Sequence, residues 1–231
     1  MLRHAHQSLV HLFFPRLCAG CSAELAGRQP LLCLSCMDQL PLARFHHYPG
    51  NPAEQLLHGR LPLLSAMSYL FFTKNSLGQR LLHQLKYQGR REIAKYFGAS
   101  MGAALQESGR FAGIDALIPL PLHAARQRQR GFNQAALLGQ FIASQLQVPM
   151  LPDIISRISG SSSQTRMKRM DRGQQMQGRF RLDNPAAVSG CHLLLVDDVL
   201  TTGATLEACG QELLKAPGVR LSIATLAFAA R

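Results

Sequence analysis

The chain contains no tryptophan, and aromatic residues make up only 6% of its 231 positions. That leaves little material for a platform of stacked rings of the kind that holds unpaired bases. Acidic residues are scarce too, 13 Asp and Glu against 25 Lys and Arg, and the formal charge is +12. Such a surplus suits a polyanionic partner, either nucleic acid or a phosphorylated small molecule. No Pro/Gly/Ser-rich tract and no block of like charge marks a disordered tail, and no internal repeat is evident. The apolar run Leu9 to Phe14 falls well short of the about 20 residues that span a bilayer. Cys18-Ala19-Gly20-Cys21 mimics a lipoprotein cleavage box only faintly, because a Cys stands where Leu is wanted and Pro15-Arg16 interrupts the hydrophobic region. Met1 to Phe14 therefore reads as an apolar N-terminal helix packing on the chain downstream of it.

What is present is globular: 47% apolar residues, and a length suited to one full domain plus a small appended module. Four of the six cysteines form Cys18-x2-Cys21, eleven intervening residues, then Cys33-x2-Cys36. Each pair presents two thiolates at the bite a tetrahedral Zn2+ accepts, with Zn to S about 2.3 Å, and four thiolates leave no open position. A structural zinc is expected, folding a segment too small to hold itself together. Two disulfides would need an export signal, and a redox pair would need a strand-to-helix setting that Pro15 to Gly27 lacks. Cys191 and Cys209 read as small core residues.

The most informative stretch runs from His192 to Thr205. Leu193 to Val196 is apolar without alternation, as in a strand of a parallel sheet covered on both faces. From Thr202 or Ala204 onward Leu206, Cys209, Leu213 and Leu214 recur at helical spacing until Pro217-Gly218. The intervening loop thus joins a strand's carboxyl end to a helix N-terminus, where open α/β sheets hold ligands. Thr201, Thr202 and Thr205 bring hydroxyls, Gly203 admits close backbone approach, and the helix start supplies N–H groups for a phosphate dianion. Asp197 and Asp198 would repel that phosphate, but they can accept from vicinal ribose hydroxyls, and Mg2+ can neutralise them. A sugar phosphate meets these demands together. Ordinary strand-to-helix turns capped by Asp do not need three threonines.

The run Leu193 to Thr205 resembles the phosphoribosyl pyrophosphate (PRPP) signature of type I phosphoribosyltransferases. The resemblance implies that Asp197 and Asp198, the candidate catalytic residues, bind ribose hydroxyls, and that Val199, Leu200, Thr201, Thr202, Gly203, Ala204 and Thr205 form the PRPP loop around the 5-phosphate. The expected fold is α/β, a mostly parallel open sheet flanked by helices with the four-cysteine ribbon in front. The expected division is an N-terminal helix and ribbon over 1–45, a polar linker over 46–62 and the main domain over 63–231. Within that domain Ala66 to Phe72 and Asp115 to Ile118 read as strands, and Leu77 to Tyr87, Ile93 to Leu105 and a segment from Gly131 or Asn133 to Leu146 as helices.

Two basic stretches precede the loop. Arg126, Arg128 and Arg130 fall at every second position and cannot share one helix face, so an extended loop displaying guanidiniums is expected. Gly160 to Arg181 reads as a cationic loop with Arg166, Lys168, Arg169, Arg172, Arg179 and Arg181. Such runs are commonly solvated faces, but both could converge with the PRPP loop at the sheet's carboxyl edge. Pro119-Leu-Pro-Leu-His123 with Arg126 to Gln134, Leu85-Lys86-Tyr87-x-Gly89, the ribbon, and the Gln164, Arg172, Phe180 string are together similar to the ComF/GntX family, over nearly the whole chain. Ser161 and Gln175 stand where the family has Thr and Asn, with hydrogen-bonding ability kept. The family implies DNA uptake in competence or use of external DNA, a cytoplasmic setting, and other competence proteins as partners. Two functions stand open. In an enzyme, Arg126, Arg128 and Arg130 would hold the pyrophosphate of PRPP with Mg2+, although no nucleobase pocket or catalytic base is recognisable. In a binding protein for single-stranded DNA, the arginines would track the backbone, with Phe132, Tyr87 or Phe180 stacking on bases.

Overall fold

The computed structural model describes residues 15–25, 29, 31–158 and 179–229. The helix expected over Met1 to Phe14 and most of the cationic stretch, including Ser161, Gln164, Arg166, Lys168, Arg169, Arg172 and Gln175, lie outside them. In chain order the elements are α1 (Leu34–Asp38), α2 (Pro52–Leu57), β1 (Ser65–Phe71), α3 (Leu77–Tyr87), α4 (Arg91–Glu107), β2 (Ala116–Pro119), α5 (Ala124–Arg130), α6 (Gln134–Leu146), β3 (Ile155–Arg157), β4 (Phe180–Leu182), β5 (His192–Leu200), α7 (Ala204–Leu213) and β6 (Arg220–Phe228). Among the described residues the main sheet has four strands in the order β1-β6-β5-β2, every pair parallel, while β3 and β4 form a separate antiparallel ladder. The α/β fold with a parallel sheet is as expected.

The centre of the sheet is β5 and β6. Leu193 to Val196 and Leu221 to Ala227 are buried without alternation, which is how strands read when helices cover both faces. The sequence reading had no strand after Pro217-Gly218, although Leu221 to Ala227 carries the same signal as Leu193 to Val196. It also ended β5 too early. The ladder with β6 continues through Asp197↔Thr225 and Val199↔Ala227 to Leu200↔Phe228, so both aspartates are strand residues and the turn proper is only Thr201 to Gly203.

The segment 46–62, expected as a linker, is packed against the sheet. Its polar residues serve the fold: Asn51, fully buried, accepts from the N–H groups of Ala53 and Glu54 to cap α2 and donates to the carbonyls of Phe45, Tyr48 and Ala66. Leu57 and Ala53 lie wholly in the core. The ribbon is joined to the same core, where Cys18, Ala19, Leu31 and Leu32 are buried and Gln84 of α3 donates to the Ala19 carbonyl at 2.8 Å.

Arg126 to Arg130 is helical, against the expectation of an extended loop. His123 Nδ1 accepts from Ala125 N–H to cap α5, and Gly131 in the left-handed conformation closes it with an N–H donated to Gln127 O at 2.8 Å. The spacing argument had assumed that all three arginines share one destination. Phe180 and Arg181, expected in a loop, lie in β4, where pairing with Ile155–Arg157 decides the conformation.

Two buried histidines make the fold acid-sensitive. His192 opens β5, its Nδ1 donating to Gly113 O and its Nε2 accepting from Ser222 Oγ, and His46 is sealed beneath β1. Burial holds both imidazoles below the usual histidine value, aided by the charges of Arg220 and His47 respectively. Protons then bind the unfolded chain first, so this stability is present above about pH 6.5 and is lost as pH falls below it. Urea midpoints are expected to drop between pH 7 and 5.5, with a shallower slope in His192→Asn. An unchanged slope in that variant would remove His192 from the account.

Candidate ligand cleft and metal centre

The sheet's carboxyl edge is stepped. Strand β2 pairs with β5 only as far as Pro119↔Val196, with one further bond from Leu120 N–H to Val196 O at 2.8 Å. Beyond that point β5 is held by β6 alone, and its Asp197 and Asp198 open onto a cleft of about 500 Å³. The backbone N–H of Asp198 donates to Asp197 Oδ1 at 2.7 Å, and Lys86 at the end of α3 pairs with Asp198 Oδ2 at 2.7 Å. Burial and the adjacent Asp198 charge raise Asp197 to about 8, against the opposing pull of that N–H, Lys86 and Arg157. The site therefore favours the protonated form of Asp197 more than water does, and a cation or hydroxyl donor would reverse that bias.

The turn after β5 has a built backing. Gly203 has φ +75°, and a Cβ there would lie 2.8 Å from Leu57 Cδ2 and 3.2 Å from Arg60 Nη1, so glycine is required on both counts. Arg60 donates from Nη1 to Thr202 O at 2.6 Å and to Leu56 O at 3.2 Å, and from Nε to Glu207 at 2.9 Å. One guanidinium thus ties the turn to α2 and to the first turn of α7. Thr202, Ala204 and Thr205 line the cleft at the N-terminus of α7, where first-turn N–H groups and the helix dipole favour an anion. Thr201 is exposed, Val199 half-buried, and Leu200 and Gly203 buried, and none of the four is among the residues that line the cleft.

Guanidiniums form the facing walls. Arg126 and Arg130, four apart on α5, line the cleft, whereas Arg128 does not, as expected of residues on one helix face. Arg130 donates to Gln134 Oε1 at 2.8 Å and lies 5.2 Å from the Tyr87 ring centroid. From the other side come Arg157 on β3 and Arg179 just before β4. Arg157 stacks 5.4 Å from the Phe180 ring, and burial together with the charges of Arg179 and Arg126 pushes it below the usual arginine range. Arg181, by contrast, is exposed and pairs with Asp183. Arg60 and Arg157 are site residues that sequence reasoning missed, and Lys86 and Gln134 are named there only within family-like motifs, without a role. The Lys86-Tyr87 pair ahead of Gly89 was the available signal for one of them; Arg60 sits in a stretch whose composition suggests a tether.

The four cysteines converge. Cys18, Cys21, Cys33 and Cys36 bring their Sγ atoms within 4.8 Å of one another, and Cys21 Sγ to Cys33 Sγ is 3.7 Å. Sulfur atoms at tetrahedral angles on a zinc about 2.3 Å away would be about 3.8 Å apart. The N–H groups of Gly20 and Cys33 point at Cys18 Sγ at 3.4 and 3.3 Å, the arrangement that favours a thiolate ligand. Gly20 is needed because a Cβ there would sit 2.7 Å from Cys36 Sγ. The donor set fits a closed structural zinc.

Residues 133–231 match the phosphoribosyl transferase domain family. The chain is also 31% identical over 202 residues to the DNA utilization protein YhgH of Salmonella typhimurium, covering 86% of this chain and 84% of that protein. The chain belongs to the ComF/GntX family. Competence protein ComFC of Bacillus subtilis is 27% identical over 199 residues, 80% of this chain and 78% of that one. Among solved structures, adenine phosphoribosyltransferase from Saccharomyces cerevisiae aligns over 61% of this chain and 72% of that one, at 16% identity and TM-score 0.38.

Two outcomes are expected of this ComF-family chain. Purified protein should carry about one zinc, as four thiolates on one ion require, and Cys18→Ser should lose it along with the native fold; zinc-free Cys18→Ser protein that unfolds at the wild-type midpoint would contradict a structural metal. Arg60→Ala is expected to cost about 1 to 3 kcal/mol in urea unfolding, because Glu207 and the Thr202 carbonyl lose a charged donor. A variant as stable as wild type would mean that the clamp holds nothing.

Proposed function

We propose that this ComF-family chain binds PRPP, or a related phosphoribosyl ligand, together with Mg2+ in the cleft at the end of β5, and serves DNA uptake or the use of external DNA. The observation that carries the reading is the grouping within one cleft of three elements: the Asp197-Asp198 pair, the hydroxyl-bearing N-terminus of α7, and the arginines of α5. A 5-phosphate fits the amides and hydroxyls from Thr202 to Thr205. Ribose hydroxyls suit the carboxylates as acceptors, and Mg2+ between the acids and a pyrophosphate would supply the cation that favours the charged form of Asp197. The pyrophosphate itself would lie toward Arg126 and Arg130, with Arg128 outside the contact set. The biological setting rests on the relatives, a DNA utilization protein and a competence protein. A cytoplasmic location is in keeping with six unbridged cysteines; among the described residues no helix is long and apolar enough to cross a membrane.

The reading centres on ligand binding, and pyrophosphate release against a panel of nucleobases tests for transfer. A second reading, single-stranded DNA along the same arginines, is favoured by the net charge of +12. Base stacking has less support. Phe180 is buried beneath Arg157, Phe132 is half-buried near Arg91, and of these aromatics and Tyr87 only Tyr87 is exposed.

Asp197→Asn with Asp198→Asn is expected to weaken PRPP binding by about 100-fold or more in calorimetric titration with Mg2+, since each carboxylate contact is charge-assisted. Affinity for single-stranded DNA should hold or rise in the same variant. Unchanged PRPP affinity would remove the ribose assignment.

A further inference from the structure

The cleft contains one buried polar group that nothing among the described residues satisfies. Gln134 is 2% exposed, lines the cleft, and its side-chain Nε2 has no hydrogen-bond partner there. The amide cannot gain by turning over, because Arg130 Nη1 donates to Oε1 at 2.8 Å, and reversal would set two donors against each other. Gln134 is also placed with care. It is the first residue of α6, a 13-residue helix, and the capping Asn133 accepts from Ala135 N–H at 3.0 Å while donating to Leu120 O at 2.9 Å. That second bond anchors the helix start to the last residues leaving β2. Buried donors are seldom left unpaired, because each one costs free energy that a satisfied or apolar side chain would not. An orphan donor in a cleft wall, at the positive end of a helix and beside a guanidinium, is the complement of an anionic oxygen that arrives with a ligand.

We infer that Gln134 is a ligand-binding residue whose Nε2 donates to an oxygen of the pyrophosphate group, and that the protein carries this unpaired donor at a cost in stability until the ligand binds. The inference rests on the phosphoribosyl reading above and assigns one end of that ligand. The 5-phosphate goes to the turn after β5, whereas Gln134 and Arg130 belong to the segment that comes after β2. Arg130 does double duty, orienting the amide through Oε1 and adding its own charge.

Stability and affinity should therefore move in opposite directions, which a merely structural glutamine would not produce. The test uses the full-length zinc-bound protein with Mg2+ and two probes: PRPP, and ribose 5-phosphate, which lacks the pyrophosphate. Wild type should prefer PRPP. Gln134→Met, close in volume and apolar, should have a urea midpoint equal to or above wild type, lose about tenfold or more in PRPP affinity, and leave ribose 5-phosphate affinity within about twofold of wild type, within the scatter of single-site changes. Gln134→Glu, which still accepts from Arg130 but has no donor and adds a negative charge, should remain folded and lose the preference for PRPP more completely. If either variant keeps wild-type discrimination between the probes, Gln134 is not a pyrophosphate donor, and a Gln134→Met midpoint clearly below wild type would show a structural role instead. Failure of the phosphoribosyl reading itself looks different: wild type would bind neither probe.

Discussion

The site depends on a single mismatch in strand length. β5 runs four residues past its last paired position with β2, yet it stays in register with β6 to Leu200. A strand held on one side only can present carboxylates to a cleft while keeping its direction. The turn beyond it is consequently aimed by the sheet. Its geometry is then set by Gly203, the only residue type that fits both the positive φ and the contact with Leu57, and by Arg60 from behind. Remove the ladder to β6 and the acids, the turn and the start of α7 lose their common frame.

Charge explains why so many elements converge there. Two adjacent acids in a half-closed cleft repel each other; Lys86 pairs with Asp198, and burial together with the Asp198 charge raises the Asp197 carboxyl above its usual range. The guanidiniums have the opposite difficulty. Burial, and then the charges of Arg179 and Arg126, lower Arg157 from the usual arginine range. A ligand with a hydroxyl-bearing centre and phosphoryl ends, bound with a divalent cation, would complement both sets. Gln134 shows the same trait in a neutral group. Site residues that are uncomfortable without ligand are a usual cost of pre-organisation.

Much of this was legible in the residues. The four-cysteine spacing, the apolar run into Asp197-Asp198, and the Thr/Gly turn each demand a particular local geometry, and local geometry is what short patterns encode. Helix α3 was readable from Leu77 to Tyr87 because Ser76 caps it and Gly89 ends it. The errors share a cause. α5 was misread because its arginines were assumed to have one destination, whereas two face the cleft and Arg128 does not. The polar composition of 46–62 reads as a linker, yet one of its polar residues, Asn51, is buried with its amide donating to three backbone carbonyls. Arg60 and Arg157 escaped notice since nothing in their neighbours signals a site, and only tertiary packing carries Arg157 to the cleft and Arg60 behind the turn; Gln134 closes a family-like motif, but its buried amide beside Arg130 is a tertiary feature. Strand β4 needs pairing with β3, a contact no local pattern announces.

The central claim is that the turn after β5 grasps a sugar phosphate while the acids beside it hold the ring. A crystal of the zinc-bound protein soaked with PRPP and Mg2+ examines it most directly. The account predicts a phosphate within hydrogen-bond distance of the Ala204 and Thr205 amides, ribose oxygens on Asp197 or Asp198, and Lys86 drawn away from Asp198. Ligand density at another surface, or an empty cleft with the Lys86 to Asp198 pair intact at saturating PRPP, would contradict it.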